Sequence, residues 1–404
     1  MESLYYRAMK HTQIQKRPDM ERSVKKRKRH IRKSLIVLFV STVCITVFAC
    51  FLPSWIASSR LKKLGYDKNT ISRIQEQDLA STILSHSYYS DYLAQVINDG
   101  TIEKDYMYLY TLVSPERDFT ASDFLLYNRL LDKGYETDQL IKLFQNLNFY
   151  ELTPLLVFDY QWNEQLYIDD CLNCRDKNSP DAFQLEGSYI TRYRITEEVK
   201  DPNSSQVLVN CSNILSKEYV PSDLVDISTE HSVANSKLRQ EAADAFTKLS
   251  TDSVDAKHSM FASTTYVDYA SQESAYSYYR SHFGDAHVDA YSARPGSSEH
   301  QTGLAVNVSL TYENTDDFAN TEAYKWLKEN ETSYGFIERY PPAKASITGY
   351  DEITHLRYVG PALAKAITDS HLTYDEYYEL YLAPWQNDAN KPSKEILKKA
   401  DPLK

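Results

Sequence analysis

The sequence has 404 residues, 25% of them charged and 42% hydrophobic, and a formal net charge of −11 at pH 7. This length predicts two folded parts with appendages rather than one domain. Residues 1–33 hold twelve Lys or Arg against three Asp or Glu, so the remaining chain is strongly acidic. A basic N-terminal segment indicates a nucleic-acid or anionic-lipid partner. The apolar segment that follows it favours lipid, so no nucleic-acid partner is predicted.

No charged residue occurs between Ser34 and Ser59, and the middle of this segment is apolar. We therefore predict a transmembrane helix over residues 34–57. The preceding basic tail, residues 1–33, then lies in the cytoplasm by the positive-inside rule, and the C-terminal domain is extracellular in a single-pass cell-membrane protein. A cleaved signal peptide, or a lipoprotein anchored at Cys50, stays open as an alternative.

Residues 58–185 are predicted to form an all-α helical spacer. Two Gly-Tyr pairs, Gly65-Tyr66 and Gly134-Tyr135, each stand between an apolar helix end and an acidic residue that can begin a new helix. The two copies suggest stacked helical hairpins. Cys171 and Cys174 have the spacing of a metal half-site or of a small disulfide loop, and the sequence leaves both open.

The elements of the C-terminal part alternate between short strands and amphipathic helices. Strands are expected at 206–210, 259–266, 304–310 and near 336 and 355; helices are expected at 241–249, 272–282, 322–331, 363–367 and 373–381. Helices packed on a small antiparallel sheet give an α+β domain, assigned to residues 186–382. Residues 383–404, which include three prolines, are predicted to be a flexible tail.

Two segments of this domain carry the residues of a metal site. His300 lies in a loop before a strand whose small, polar face includes Asn307, and Glu352 and His355 follow on a second segment. Two imidazoles, a short polar side chain and a glutamate are what a catalytic zinc site needs. Such a site holds the metal with three protein ligands, keeps one position for water, and places a carboxylate nearby for proton transfer.

The same segments contain a longer set of motifs in a fixed order. These are Ser298-Glu-His-Gln-Thr-Gly-Leu-Ala305, Tyr334-Gly-Phe-Ile337, Arg339-Tyr-Pro341, Ile347-Thr-Gly-Tyr350 and Glu352-Ile-Thr-His-Leu-Arg-Tyr-Val-Gly360. The set resembles the VanY-type D-alanyl-D-alanine carboxypeptidases, from about residue 207 to residue 378. The resemblance implies an α+β zinc peptidase fold, a zinc cofactor, and peptidoglycan stem peptides as partners.

The resemblance also assigns roles to single residues. It implies that His300, the residue at position 307 and His355 hold zinc, and that Glu352 is the general base. Position 307 is an aspartate in the family but Asn307 here. The arginine that grips the substrate carboxylate falls at Val267, and the tryptophan before the second histidine is Thr354. The remaining substrate-binding positions are assigned to Gln272, Ser298 and Arg357.

These departures predict weak or lost zinc binding and impaired hydrolysis. We expect a peptidoglycan-binding or scaffolding protein of the cell wall. One alternative is an active zinc metallopeptidase of altered specificity on stem peptides; another is a single-pass sensor of the cell wall. Arg280 is considered as a replacement for the missing clamp, and Asp289 as a replacement for the missing metal ligand.

Overall fold

The computed structural model describes residues 18–112, 119–157, 164–175, 196–311 and 315–403. The chain folds as two compact units, Met1–Leu112 and Val113–Lys404. Each unit has its own buried core, and the zinc-site motifs all belong to the second.

The described part of the first unit is helical. Its helices are α1 (Pro18–Leu64), α2 (Lys68–Glu76), α3 (Ala80–His86), α4 (Asp91–Asp99) and α5 (Met107–Leu112). Tyr66 N–H donates to Leu61 O and Gly65 N–H to Lys62 O, so the glycine ends α1 in a left-handed turn. Asp67 then caps α2 by accepting a hydrogen bond from Thr70 N–H.

The predicted transmembrane helix at residues 34–57 is wrong. Within the parts of the chain that the structure describes, none of the helices combines the length and the apolar character needed to cross a bilayer. Three hydroxyl side chains of this helix bond to its own backbone: Ser41 and Thr42 both donate to Leu38 O, and Thr46 donates to Thr42 O. The predicted single-pass localisation and the sensor alternative depended on this helix and are withdrawn with it.

The second unit begins with helices that pack on its C-terminal end. They are α6 (Ala121–Asp132), α7 (Thr137–Asn146), α8 (Phe149–Leu152) and α9 (Glu164–Cys174). Tyr135 N–H donates to Leu130 O after α6, so the second Gly-Tyr pair ends a helix as the first does. Cys171 and Cys174 lie one turn apart on α9 and are not joined by a disulfide.

Arg129 of α6 fixes these helices to the end of the chain. Its guanidinium donates to the carbonyls of Leu380, Ala383 and Pro384 and lies 3.9 Å from the ring centre of Trp385. Residues 383–403, predicted as a flexible tail, contain a helix, and its Ile396 and Ala400 are buried.

The rest of the second unit is α+β. Its strands are β1 (Glu197–Glu198), β2 (Asn213–Ile214), β3 (Leu224–Asp226), β4 (Lys237–Arg239), β5 (Met260–Thr264), β6 (Ala305–Leu310), β7 (Phe336–Tyr340) and β8 (Glu352–Tyr358). Its helices are α10 (Gln240–Asp255), α11 (Tyr269–Phe283), α12 (Asp285–Tyr291), α13 (Glu322–Asn330), α14 (Ala345–Thr348), α15 (Pro361–Ser370), α16 (Tyr374–Tyr377) and α17 (Lys394–Ala400). Residues 206–210, predicted as a strand, form none, although Val207 and Val209 are buried.

The main sheet is antiparallel, with strand order β5-β6-β8-β7. One of its faces is covered by apolar side chains of α10 and α13, including Phe246 and Leu327. Val306 and Val308 of β6 point into this core, as their alternation predicted. Asn307, between them, therefore points to the opposite face.

Candidate functional site

The register of the sheet places Asn307 beside His355. The two residues are directly opposed in the β6–β8 pair, so their side chains share the face that points away from the main core. The β7–β8 register shifts between Glu338 and Tyr340, next to the stretch of β8 that carries Glu352 and His355. Irregularities of this kind re-aim side chains near functional sites.

His300 is delivered by a short 3-10 turn, Glu299–Thr302. Gln301 anchors the turn by donating from Nε2 to Ser216 O and Tyr219 O. Gly303 ends it at φ 68°, where a Cβ would stand 2.8 Å from Leu224 Cδ2. Glycine is therefore needed both for the left-handed backbone and for the close approach.

The four predicted residues of the zinc site converge in the structure. The ring centres of His300 and His355 are 4.8 Å apart. Asn307 donates from Nδ2 to Glu352 Oε1 at 2.5 Å, and Glu352 Oε2 lies 3.8 Å from His355 Nδ1. The site thus combines two imidazoles, an amide and a carboxylate, drawn from one turn and two adjacent strands.

Buried polar atoms without partners show that this cluster lacks something. His300 Nδ1 and Asn307 Oδ1 are both buried and make no hydrogen bond. Orphaned buried atoms of this kind are rare in native proteins. Two imidazoles and an amide oxygen fit a zinc ion, although the amide is a weaker donor than the usual carboxylate. Across the described ranges, no cluster of three His, Cys, Asp or Glu side chains is placed to hold a metal.

The electrostatics of the site keep its first histidine neutral. Burial, helped by the neighbouring His355, lowers the pKa of His300 to about 3. A neutral imidazole is the form that binds a metal, and it carries a lone pair for this purpose at neutral pH.

A layer of buried charge lies directly beneath the site. Sequence reasoning gave no role to its Glu299, Arg339 and Asp375, and assigned its Arg357 to substrate binding. Glu299 accepts hydrogen bonds at Oε1 from Arg339 Nε (2.9 Å) and Arg357 Nη1 (3.1 Å). Arg339 also pairs with Asp375 at 2.5 Å. Burial alone would raise the pKa of Glu299, but the two guanidinium groups outweigh it and hold the pKa well below its usual range. The available signal was one arginine in each of two strands expected to be half-buried, since buried arginines require acidic partners.

The predicted substrate-binding residues lie around the histidine turn. Val267 N–H donates to His300 O at 3.3 Å, so the position expected for the clamp borders the site but offers an apolar side chain. Gln272 donates to Ala293 O at 2.7 Å and joins α11 to the following loop. Ser298 is buried immediately before the turn. Arg357 is fully buried, and its guanidinium contacts Glu299 and backbone carbonyls.

The two considered replacements are held by other partners. Arg280 forms an ion pair with Asp285 on the surface of α11 and α12. Asp289 accepts hydrogen bonds from Arg294, at 2.6 Å, and from Tyr276. Neither side chain is among the contacts of His300, Asn307 or His355, so the structure gives no support to either replacement.

Comparison with known proteins places the site in a family context. Residues 235–361 match the family model described as VanY, D-alanyl-D-alanine carboxypeptidase. The chain is 36% identical over 208 residues to YodJ of Bacillus subtilis (strain 168), whose description as a carboxypeptidase is provisional; the match covers 49% of this chain and 76% of YodJ. A D-alanyl-D-alanine carboxypeptidase of Enterococcus faecalis is 44% identical over 102 residues, which cover 24% of this chain and 36% of that protein.

One solved relative carries the metal. A mutant of the VanY D,D-pentapeptidase from a VanB-type resistance cassette was solved in complex with Zn(II). It is 28% identical to this chain, and the match covers 43% of this chain and 98% of that one with a TM-score of 0.36.

Proposed function

Because the chain belongs to the VanY family of D-alanyl-D-alanine carboxypeptidases, we propose that it is a carboxypeptidase-like cell-wall protein with impaired hydrolysis. In this proposal it binds peptidoglycan stem peptides and acts as a binding or scaffolding protein. The family supports the ligand class, and the geometry of the site supports the impairment.

The hydrogen bond from Asn307 Nδ2 to Glu352 Oε1 carries this proposal. An ionised aspartate has no proton to donate, so this contact exists only because position 307 is an amide. It occupies the carboxylate that would act as general base, and it aims the amide nitrogen at a residue other than the metal. One substitution thus weakens both the metal site and the base.

The metal itself would be held by His300 and His355, with Asn307 Oδ1 as the third donor. When bound, zinc would supply Lewis acidity and an activated water. Glu352 would take the proton, once its hydrogen bond to the amide is broken. Asparagine leaves this ligand shell without an anion, and changes even outside the ligand shell of zinc weaken affinity or activity roughly 10- to 100-fold.

The substrate clamp is a second, separate deficiency. Val267 provides no donor for a terminal carboxylate, and removing one partner of a buried charge pair costs on the order of 2–5 kcal/mol. The loss acts on capture of the substrate's C-terminus, whereas Asn307 acts on the metal and base. Both deficiencies lower hydrolysis, but neither alters Gln272 and Ser298, which are also assigned to substrate binding.

The proposal is tested by measuring binding and turnover with the same ligand. The full chain is titrated calorimetrically with a muramyl pentapeptide, and D-Ala release is followed by mass spectrometry with zinc added. We expect binding with release close to the uncatalysed background. Release at the rate of an active family member in the same assay would overturn the proposed impairment, and absence of binding would overturn the proposed ligand.

An active zinc peptidase of altered specificity is the second candidate. It is favoured by the buried, unpartnered His300 Nδ1 and Asn307 Oδ1, which a metal would satisfy. This candidate predicts cleavage of stem peptides that lack a free D-Ala carboxylate at the usual position, since Val267 cannot grip one. A panel of tri-, tetra- and pentapeptides, with zinc added, distinguishes the two candidates.

A further inference from the structure

We infer that Glu299 is a positioning residue for the zinc site: it holds His355 by Nε2 and so leaves Nδ1 to face the metal position. The inference rests on the proposed role of His355 as a ligand and adds a carboxylate that the motif comparison does not assign. The contact that supports it is between His355 Nε2 and Glu299 Oε2, on the side of the imidazole ring that faces the protein interior.

The two nitrogens of His355 face different carboxylates. Nε2 lies 3.6 Å from Glu299 Oε2, inside the protein, and Nδ1 lies 3.8 Å from Glu352 Oε2, on the side of the site. Nε2 and Glu299 Oε2 are both buried and have no hydrogen-bond partner. A shift of a few tenths of an ångström brings them within ordinary hydrogen-bonding range, so each supplies what the other lacks.

Glu299 is held too firmly to serve another group. Its side chain is wholly buried, and Oε1 is occupied by both Arg339 and Arg357. Asp375 balances the second positive charge and is itself bound by Asn210 Nδ2 at 2.7 Å. Two acids and two arginines therefore form a neutral, hydrogen-bonded group, the condition under which buried charges are tolerated. This arrangement aims Oε2 at His355.

A carboxylate on Nε2 fixes which tautomer the ring adopts. With the proton on Nε2 and donated to Glu299, the lone pair stands on Nδ1, on the side of Glu352. Metal-binding histidines commonly donate their second N–H to a carboxylate, which sets the ring orientation and raises the basicity of the ligand nitrogen. Tyr340, whose ring centre is 4.9 Å from that of His355, limits rotation of the ring.

The test uses the full chain without metal and the variant Glu299→Gln. Nitrogen-15 NMR of the histidine rings, at mildly alkaline pH in the presence of a chelator, reports the tautomer of His355. We expect the Nε2–H form in the unmodified chain. In Glu299→Gln the side-chain amide can donate to Nε2, so we expect a shift toward the Nδ1–H form and zinc affinity lowered roughly 10- to 100-fold.

Glu331→Gln is the matched control. Glu331 is also a buried glutamate of this unit, 1% exposed and paired with Lys328 rather than with the site. It should leave both the tautomer of His355 and the zinc affinity unchanged. An equal loss of zinc affinity in both variants would show a general effect of losing buried charge and would overturn the inference.

The unmodified chain alone also decides the question. If its His355 holds the proton on Nδ1, Glu299 does not position the ring, whatever the stability of the variant. This readout requires neither bound zinc nor turnover, so it stands even if the chain binds no stem peptide. Conversely, the Nε2–H form together with no peptide binding would sustain the role of Glu299 and reject the proposed function.

Discussion

Asn307 and Glu352 are joined by a 2.5 Å hydrogen bond in which the amide donates to the carboxylate. The motif resemblance predicts that both residues stand at positions where the family uses anions, one as metal ligand and one as base. Two carboxylates at this distance would repel each other without a cation between them. The amide removes this repulsion, and we therefore propose that the metal-free site is stabilised at the expense of metal binding.

The first prediction concerns Asn307→Asp. The variant gains an anionic ligand and releases Glu352 from its hydrogen bond, so zinc should bind at least roughly 10-fold more tightly. The metal-free variant should also be less stable than the unmodified chain, because two carboxylates then face each other. Competition with a chromophoric chelator measures the affinity, and thermal unfolding with and without zinc measures the stability.

Asn330→Asp is the control for this change. Asn330 donates to Trp326 O at the end of α13 and lies outside the site, so the same chemical substitution should leave zinc affinity unaltered. If Asn307→Asp binds zinc no better than Asn330→Asp does, position 307 is not a zinc-ligand position, and the ligand assignment on β6 is wrong.

The second prediction separates the metal from the substrate clamp. Asn307→Asp alone should gain zinc but release little D-Ala from a muramyl pentapeptide, because Val267 still offers no donor. Adding Val267→Arg should increase release without changing zinc affinity, since its backbone N–H already bonds His300 O and places it at the edge of the site. A double variant that binds zinc yet releases nothing would point to a further deficiency, with Thr354 the next position to restore.

The third prediction concerns the joint between the helices and the chain end. Arg129→Ala removes the guanidinium of a residue that is 5% exposed; this group donates to three carbonyls and stacks on Trp385. Unfolding in urea should show a loss of about 2–4 kcal/mol. Arg280→Ala, which removes only an exposed ion pair, should change little. Equal effects of the two variants would contradict a cooperative packing of α6 on residues 380–385.

The fourth prediction concerns pH and Glu331. Burial raises the pKa of Glu331 to about 7, so the folded chain keeps a proton that the unfolded chain releases above about pH 4.5. The stabilisation is therefore present at pH 4.5 and is lost as the pH rises through 7, by on the order of 3 kcal/mol. Glu331→Gln should abolish this part of the slope in denaturant unfolding measured across that range. An unchanged slope would place the pKa of Glu331 in its ordinary range.

Elements of the sheet and its covering helices were predictable from the sequence where the spacing of apolar residues was regular. Residues 304–310 alternate strictly, and β6 spans Ala305–Leu310 with Asn307 on the face opposite the core. Residues 241–249 carried a helical period, and α10 runs through them from Gln240 to Asp255. Here the local pattern and the tertiary packing select the same face.

Other features were beyond local patterns. The apolar run at 206–210 is buried but unpaired, because its carbonyls bond to side chains: Val207 O accepts from Arg357 Nη2, and Gln206 O from the Tyr374 hydroxyl. The acids and arginines beneath His355 are 40 and 36 residues apart in the pairs Glu299–Arg339 and Arg339–Asp375. These ion pairs form only when the folded sheet brings the residues together.

The predicted membrane helix failed for a different reason. A charge-free segment satisfied the length criterion, but none of the helices in the described residues is both long and apolar enough to cross a bilayer. Absence of charge was a weaker criterion than density of apolar side chains.

The zinc content of the purified, unmodified chain tests the central claim most directly. The chain is equilibrated with zinc, dialysed against buffer treated to remove metal, and analysed for zinc per chain, with Asn307→Asp carried through the same steps. Our account predicts that the unmodified chain retains well below one zinc per chain, because Asn307 bonds Glu352 instead of supplying an anion. Retention of one zinc per unmodified chain would contradict it and favour the active peptidase.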